Sequence, residues 1–297
     1  MTTATIAPPQ LEVTETVAGY AERLDAERRA GRTVGVVLTM GALHAGHEAL
    51  IRRAAAECDV VAVSVFVNPT QFADPADLDR YPRTLEDDLS VAATAGASLV
   101  FAPSVGEMYP GWPATPATVV GVRGLADRWE GASRPGHFDG VATVVVKLLT
   151  ASGRCRTYFG EKDFQQLAVV RRVVRDLVLP VEVVGCPTVR EPDGLALSSR
   201  NVRLGRRERS AAAGLSRALR VGAEALAAGC DREGVESAMA AVVAGEPLVA
   251  LDYAVLVDAG DLEPTDVTDD GRPLRLLIAA TVGPVRLIDN LDPRATR

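Results

Sequence analysis

The sequence has 297 residues, enough for one large domain or two of ordinary size. Hydrophobic residues make up 47% of it, which predicts a large core, and the net charge is −7. This acidic balance argues against a nucleic-acid-binding protein, which would normally carry a basic face. No apolar run is long enough to span a membrane, and residues 1–10 lack the basic start and apolar stretch of a signal peptide.

The four cysteines are scattered, with no C-x-x-C pair and no histidine within a few residues of any of them. This spacing disfavours both a disulfide framework and a zinc site. Unpaired thiols are typical of a reducing compartment, so a cytoplasmic protein is predicted.

The first part of the chain alternates helical patterns with apolar runs typical of buried strands. After a loose lead-in over residues 1–12, strands are predicted at 33–38, 59–67, 98–101, 118–122, 156–159 and 181–184. Helices are predicted at 14–30, 48–57, 84–95, 123–130, 140–151 and 164–177, with Thr14 or Thr16 capping the first and Thr84 with Asp87 forming a capping box on the third. The alternation indicates an α/β fold, a Rossmann-like doubly wound parallel sheet over residues 1–188.

The texture of the sequence changes after residue 188. Two Ala-rich helices are predicted at 206–228 and 231–244, followed by short strands at 251–257, 275–281 and 285–288. Turns at Asp269-Asp270-Gly271 and Gly283-Pro284 separate these strands. Residues 189–297 are therefore predicted to form a smaller α+β domain with an antiparallel sheet.

Two of the three histidines, His44 and His47, lie between the first strand and the helix that follows it. At this spacing they share one face of the first helical turn. The N-terminus of a helix attracts phosphate through its unsatisfied N–H groups and its dipole. Gly46, which lies between them, would let a flat ligand approach the backbone. A nucleotide site is one interpretation, and an ordinary strand–turn–helix connection with structural histidines is the other.

Two further polar clusters have the residue types of a phosphate site. Lys162 follows a predicted strand end and can reach a phosphate as a point charge, and Asp163 can accept from ribose hydroxyls. Ser198, Ser199 and Arg200 supply hydroxyl and guanidinium donors for a triphosphate. Ordinary helix caps with surface charges are the alternative for both clusters.

Other polar residues fit the substrates of such a site. Gln71 and Gln166 are neutral amides suited to a hydroxylated substrate, although glutamine is also common on surfaces. The adjacent carboxylates Asp87 and Asp88 are candidate ligands for a Mg²⁺ held mainly by phosphates. Acidic residues favoured by the helix dipole are the alternative. The sequence has no P-loop, no G-x-G-x-x-G after its first strand and no G-x-S-x-G, which disfavours P-loop kinases and dinucleotide dehydrogenases.

His44-Ala45-Gly46-His47 resembles the H-x-G-H motif of the nucleotidyltransferase superfamily. A longer ordered set resembles the pantothenate synthetase (pantoate–β-alanine ligase) family in particular. It consists of Thr39-Met40-Gly41-Ala42-Leu43-His44, Phe66-Val67-Asn68-Pro69-Thr70-Gln71-Phe72, Tyr81-Pro82-Arg83, Tyr158-Phe159-Gly160-Glu161-Lys162-Asp163 with Gln165-Gln166, and Ser198-Ser199-Arg200-Asn201. One departure is Leu197, where the family has methionine before Ser-Ser-Arg; its similar apolar volume should preserve the site.

The resemblance implies an ATP-dependent ligase that converts pantoate to pantoyl-adenylate and pyrophosphate, and then transfers the pantoyl group to β-alanine with release of AMP. It implies His44, His47 and Lys162 as catalytic residues, with His47 as proton donor. It also implies Mg²⁺, a cytoplasmic location and a homodimer, without nucleic acid or membrane. The implied ATP site comprises Met40, Gly41, His44, Gly46, His47, Gly160, Lys162, Asp163, Val189, Leu197, Ser198, Ser199 and Arg200, and the implied substrate residues are Asn68, Gln71 and Gln166.

Three other functions remain open from the sequence. A different H-x-G-H nucleotidyltransferase would exchange pyrophosphate without pantoate. A tRNA synthetase fragment is disfavoured by the acidic balance and by the lack of an anticodon-binding region. A non-catalytic ATP-binding regulator would bind ATP without turnover.

Overall fold

The computed structural model describes residues 11–72, 75–266 and 271–295, and the main chain alone at Pro75. Residues 1–10 of the predicted lead-in and the Asp269-Asp270 part of the predicted turn lie outside these residues.

Described residues form strands β1 to β9 and helices α1 to α10. The strands are β1 Glu12–Thr14, β2 Val34–Thr39, β3 Val60–Val65, β4 Leu99–Phe101, β5 Cys155–Gly160, β6 Val181–Cys186, β7 Val249–Asp258, β8 Leu274–Val282 and β9 Val285–Leu291. The helices are α1 Val17–Arg29, α2 Ala45–Glu57, α3 Pro75–Asp79, α4 Leu85–Ala95, α5 Val105–Met108, α6 Glu130–Ser133, α7 His137–Ser152, α8 Phe164–Asp176, α9 Arg206–Ala227 and α10 Arg232–Ala244.

The sheet order β1-β4-β3-β2-β5-β6 confirms the predicted parallel α/β sheet. The pairs β1–β4, β4–β3, β3–β2 and β2–β5 are all parallel. β2 and β3 are almost completely buried, as expected for strands covered on both faces. The carboxyl ends of β2 and β3 lead into residues 40–47 and 68–71, which places both predicted clusters at the edge where such sheets bind ligands.

Four local predictions are wrong. Residues 118–122 form no strand, and the hydroxyl of Thr143 accepts from the N–H of Val120 there. Residues 123–129 form turns rather than a helix. Thr84 precedes α4 without a side-chain capping bond. The predicted lead-in ends in β1, a three-residue strand stabilised by pairing with β4 rather than by its own sequence.

The C-terminal part of the chain contains an antiparallel sheet in the order β7-β8-β9. α9 and α10 pack on it through a core of aliphatic side chains that includes Leu215, Leu219, Met239, Leu276 and Ile278. α9 approaches α10 closely at Gly222, where an added Cβ would lie 2.5 Å from Met239 Cγ. The predicted α+β architecture of this part is confirmed.

The chain divides into two compact units. Among the described residues, the first unit contains the chain up to Gly121 together with Asp139–Phe159 and Val173–Gly185. The second unit contains Val122–Phe138, Gly160–Arg172 and the chain from Cys186 onward. A single boundary at residue 188 stays a prediction. None of the helices in the described ranges has the length and apolarity needed to cross a membrane.

Candidate functional site

The two histidines of the first unit cap the helix that they introduce. His44 is the N-cap of α2, and its Nδ1 accepts from the N–H of Gly46 at 3.1 Å. His47 lies in the first turn, and its Nδ1 accepts from the N–H of His44 at 3.4 Å. The ring centroids are 4.2 Å apart. The side chains therefore form a reciprocal capping box, a role usually filled by Ser or Thr with Glu or Gln.

The two capping bonds determine which nitrogen of each ring carries the proton. A neutral imidazole that accepts at Nδ1 carries its proton on Nε2, so His44 and His47 are both Nε2–H donors. Gly46 makes the arrangement sterically feasible, because a Cβ there would lie 2.8 Å from Cε1 of His44. In the structure, the missing side chain of Gly46 leaves room for the ring of His44. From the sequence, that space was expected to let a ligand approach the backbone.

Asn68 and Gln71 form a buried network at the end of β3. The amide nitrogen of Asn68 donates to Gln71 Oε1 at 3.0 Å and to the carbonyl of Gly140 at 3.1 Å. Its Oδ1 accepts from the hydroxyls of Thr70 and Tyr109. Asn68 is only 1% exposed, so in this structure it orders the loop and orients Gln71.

Gln71 in turn contacts the end of the neighbouring strand. Its Nε2 lies 2.8 Å from the sulfur of Met40, which follows β2. Met40, Asn68 and Gln71 are thus held together in the first unit. Their contact with substrates stays a prediction.

A cavity of about 490 Å³ lies in the first unit at the carboxyl ends of β2, β3 and β4. Its volume is within the range of small-molecule sites. The lining includes Met40, Gly41, Phe66, Arg83, Asp88 and Trp112.

The two predicted magnesium ligands differ in their surroundings. Asp87 is exposed, whereas Asp88 is buried and its carboxylate accepts two backbone N–H groups. Within the described ranges, no group of three or more His, Cys, Asp or Glu side chains could hold a metal ion. These residues do not form a preassembled metal centre, and their ligation of Mg²⁺ stays a prediction.

The second unit contains a cluster of cations around Asp163. Lys162 Nζ lies 3.4 Å from Asp163 Oδ1. Desolvation raises the pKa of this carboxyl, but the charges of Lys162 and Arg200 outweigh it and hold the pKa below its ordinary value. The cations around Asp163 can attract an anionic ligand, and the ionised carboxylate can accept a hydrogen bond from a hydroxyl of that ligand.

Arg134 and His137 belong to the same cluster, although neither had a role predicted from the sequence. Arg134 Nη1 lies 3.0 Å from His137 Nε2. Burial, followed by the charge of Arg200, lowers the pKa of the Arg134 guanidinium, and the carboxylates of Glu130 and Asp163 partly compensate. Lys162, Asp163 and Arg200 are distant in sequence from Arg134 and His137, so the spacing of the chain carries no signal for the cluster.

Buried polar contacts fix the segment that carries Lys162. The side-chain amide of Asn290 donates to the carbonyls of Glu161 and Lys162, both at 2.8 Å. Arg275 donates to Glu161 and stacks its guanidinium over the ring of Phe164 at 4.1 Å. The backbone beneath Lys162 is therefore held by β8 and β9 of its own unit.

A second buried network holds the segment that carries Arg134. Arg286 donates two bonds, of 2.6 and 2.7 Å, to the carboxylate of Glu130. The hydroxyl of Tyr253 donates to the same carboxylate at 3.0 Å, and the N–H of Glu130 donates to Gln165 Oε1. Charge-assisted bidentate pairs of this kind are strong and directional. Glu130 therefore anchors α6 to the antiparallel sheet and to α8.

The other predicted residues of the second unit lie on two short segments. The N–H of Leu197 donates to the carbonyl of Val189 at 2.9 Å, which joins the segments. Ser198 Oγ accepts from the N–H of Arg200 and caps the 3-10 turn that contains Ser199. Gly160 has open space where a Cβ would lie, and Gln166 is half-buried on α8.

The sequence model of the family described as pantoate-beta-alanine ligase matches residues 12–292. The chain belongs to this family. It is similar to pantothenate synthetases from Rubrobacter xylanophilus (53% identity, covering 89% of this chain and 92% of the relative) and Salinispora arenicola (52% identity, 94% and 98%). The enzyme class predicted from the ordered motifs, a pantoate–β-alanine ligase, is therefore confirmed.

Solved structures extend the similarity to the fold. A crystal structure of pantothenate synthetase from Thermus thermophilus has a TM-score of 0.86 at 47% identity, covering 95% of this chain and 99% of that one. A pantoate-β-alanine ligase from Francisella tularensis, complexed with β-γ ATP and β-alanine, has a TM-score of 0.75 at 32% identity and covers 96% and 98%. These likenesses confirm the α/β fold class.

Proposed function

We propose that this ligase condenses pantoate with β-alanine through a pantoyl-adenylate, with ATP as the second substrate and AMP and pyrophosphate as products, in pantothenate and coenzyme A biosynthesis. The observation that carries the proposal is the histidine capping box at α2, in a chain of the pantoate–β-alanine ligase family. Two Nε2–H donors at the positive end of a helix suit the phosphoryl group at which pantoate reacts.

In the first step a carboxylate oxygen of pantoate attacks the α-phosphorus of ATP, and the bond to the pyrophosphate oxygen breaks. The pantoate carboxylate is already ionised at neutral pH, so this step needs no base. Its barrier lies in bringing two anions together and in placing charge on pyrophosphate. Preorganised donors and cations lower that barrier because they match the developing charge without reorganising.

We assign these donors as follows. His44 and His47 bind the reacting phosphate, with His47 as proton donor, and Met40, Gly41 and Gly46 shape the turn beside it. In the second unit, Lys162 and Arg200 neutralise phosphate charge, with Arg134 and His137 in the same cluster. Asp163 accepts from ribose hydroxyls. The remaining ATP contacts come from Gly160, Val189, Leu197, Ser198 and Ser199.

Gln71 and Gln166 bind pantoate in this proposal, and Asn68 orients Gln71 through the bond at 3.0 Å. In the second step the β-alanine amine attacks the acyl carbon, the bond to the AMP oxygen breaks, and the amine loses a proton. Mg²⁺ would supply charge neutralisation while bound to the phosphates. The described residues form no preassembled metal centre, so we derive no step from the ion.

Oxygen labelling tests the chemistry directly. Pantoate with ¹⁸O in its carboxylate is incubated with the enzyme, ATP, Mg²⁺ and β-alanine, and AMP and pyrophosphate are analysed by mass spectrometry. One ¹⁸O is expected in AMP, because the oxygen that attacks phosphorus leaves with it. Unlabelled AMP, or label in pyrophosphate, would refute the adenylate. AMP release that is indifferent to β-alanine would refute the ligase itself.

A cytoplasmic homodimer with separate domains at 1–188 and 189–297 completes the proposal. The cytoplasmic location is supported by four free cysteines, one of which, Cys155, has its pKa raised to about 12 by burial and is unreactive. The homodimer is supported by the resemblance to the family. Sedimentation equilibrium tests it, and a single species with the mass of one chain would contradict it.

A further inference from the structure

Residues 41–43 of the first unit form an unusual turn before His44 and His47. Gly41 has φ +81° and Ala42 has φ +51°, so two successive residues adopt the left-handed conformation. An alanine in this region is uncommon and needs support from its surroundings. Any shift in the turn would move the N-cap, His44, and with it both rings.

Asp88 provides that support. Its Oδ2 accepts from the N–H of Ala42 at 3.1 Å, and its Oδ1 accepts from the N–H of Leu43 at 2.7 Å. The hydroxyl of Thr84 lies 3.3 Å from Oδ2. Successive N–H groups in such a turn form a concave site for an anion. Here that anion is a carboxylate of the chain itself, and it is 2% exposed.

The fit between the turn and the carboxylate is close. A Cβ at residue 41 would lie 2.9 Å from Asp88 Oδ2, so only glycine lets the carboxylate reach both N–H groups. Thr39 Oγ1 accepts from the N–H of Gly41 at 3.1 Å. Together with the histidine caps, the N–H groups of residues 41–44 all donate to side chains of the first unit.

We propose that Asp88 is a positioning residue, which holds the left-handed turn at Gly41 and Ala42 and thereby sets the positions of His44 and His47. This role differs from magnesium ligation, because both carboxylate oxygens are used on backbone N–H groups. The inference rests on the proposed function for its kinetic consequences. The position of the rings can also be measured without turnover.

The experiment compares Asp88→Asn with Glu86→Gln. Glu86 lies exposed in the same first turn of α4, so its variant makes the same change of charge without touching residues 41–43. An asparagine offers one acceptor oxygen and an NH₂ that cannot accept. The kcat of Asp88→Asn per folded protein is expected to fall on the order of 10²-fold. The KM values should change less, and Glu86→Gln should match the wild type.

Two further readouts separate positioning from other roles. The chain has three histidines, so their ring signals can be resolved by NMR without substrate. The signals of His44 and His47 are expected to shift in Asp88→Asn while that of His137 stays in place, and this readout does not depend on turnover. Raising Mg²⁺ should not restore kcat. Asp88→Glu keeps the charge but displaces the oxygens, so smaller ring shifts and a correspondingly smaller loss of kcat are expected. This variant serves if Asp88→Asn does not fold.

An unchanged kcat per folded protein in Asp88→Asn, or ring signals at their wild-type positions, would overturn the inference. Recovery of kcat at high Mg²⁺ would overturn it in favour of metal ligation. Failure of the proposed function has a different signature, since the wild type would then form no pantothenate while the ring signals still responded to Asp88→Asn.

Discussion

Gly46→Ala separates the activity of the site from the stability of the fold. The added Cβ would lie 2.8 Å from Cε1 and 3.0 Å from Nδ1 of His44. The ring must move away by about 0.6 Å to reach an ordinary van der Waals distance. This movement breaks the hydrogen bond that Nδ1 accepts from the N–H of residue 46. Misplacement of a reacting group by about 1 Å costs on the order of 10²-fold in rate. We therefore expect kcat to fall by about 10²-fold.

The stability of this variant is expected to change little. Loss of an N-cap bond destabilises a helix by about 1 kcal/mol. Replacement of glycine by alanine within a helix stabilises it by about the same amount. These two contributions nearly cancel, so the free energy of unfolding should stay within about 1 kcal/mol of the wild type.

The assay measures kcat from AMP release with pantoate and β-alanine saturating, alongside urea denaturation. Gly111→Ala is the matched control, because Gly111 is exposed and an added Cβ meets no atom within 4 Å. It should retain wild-type kcat and stability. If Gly46→Ala keeps its kcat within about threefold, the orientation of the His44 ring does not control the rate.

Three other predictions concern the second unit and its electrostatics. Lys162→Ala should lower kcat by about 10²- to 10³-fold, whereas Lys147→Ala, which removes a cation 5.3 Å from the ring centroid of Tyr109, should leave it nearly unchanged; equal kinetic losses would contradict the assignment. Arg286→Met leaves the buried Glu130 carboxylate without its two guanidinium bonds and should cost about 3 kcal/mol in urea denaturation, and a loss below about 1 kcal/mol would contradict this. Ionised Asp163 has a lowered pKa, so it stabilises the fold above the ordinary carboxyl pKa of about 3.9 and loses this effect as the pH falls through the lowered value. Asp163→Asn should therefore lose stability relative to wild type near neutral pH, and urea denaturation over a descending pH series should show this difference shrinking as the pH falls through the lowered pKa; a difference that does not change with pH would argue against the lowered pKa.

The parts of the fold that the sequence predicted well are those with strong local patterns. β2 and β3 are continuous apolar runs, and α8 and α9 are long amphipathic helices. In each case the pattern that predicts the element lies within a single segment. β1 has only three residues and exists because its backbone pairs with β4, a contact that no local window contains. Residues 118–122 show the opposite error, a strand that was predicted but is not formed. β-Branched residues alone do not make a strand, and the backbone there bonds to Thr143 instead.

The candidate site was likewise predictable from the sequence only where its residues are close together in the chain. His44, Gly46 and His47 are close in sequence, so their shared helical face could be predicted from spacing. The cluster of Arg134 and His137 with Lys162 and Arg200 joins three segments, so no single stretch of sequence indicated a role for His137. The ordered motifs predicted which family the chain belongs to. They did not predict which side chains hold the others in place.

In the proposed function, the histidine pair also changes which groups at the N-terminus of α2 would donate to phosphate. From the sequence, the unsatisfied N–H groups of the first turn were the expected donors. In the structure, the N–H groups of His44 and Gly46 already donate to imidazole Nδ1 atoms. Each such bond polarises its ring and places the ring proton on Nε2. The partial positive charge of the α2 N-terminus is therefore presented at the two Nε2–H groups. The proposed function therefore needs histidine at both positions for one reason: serine or glutamate would satisfy the same backbone N–H groups and leave no proton to donate beyond them.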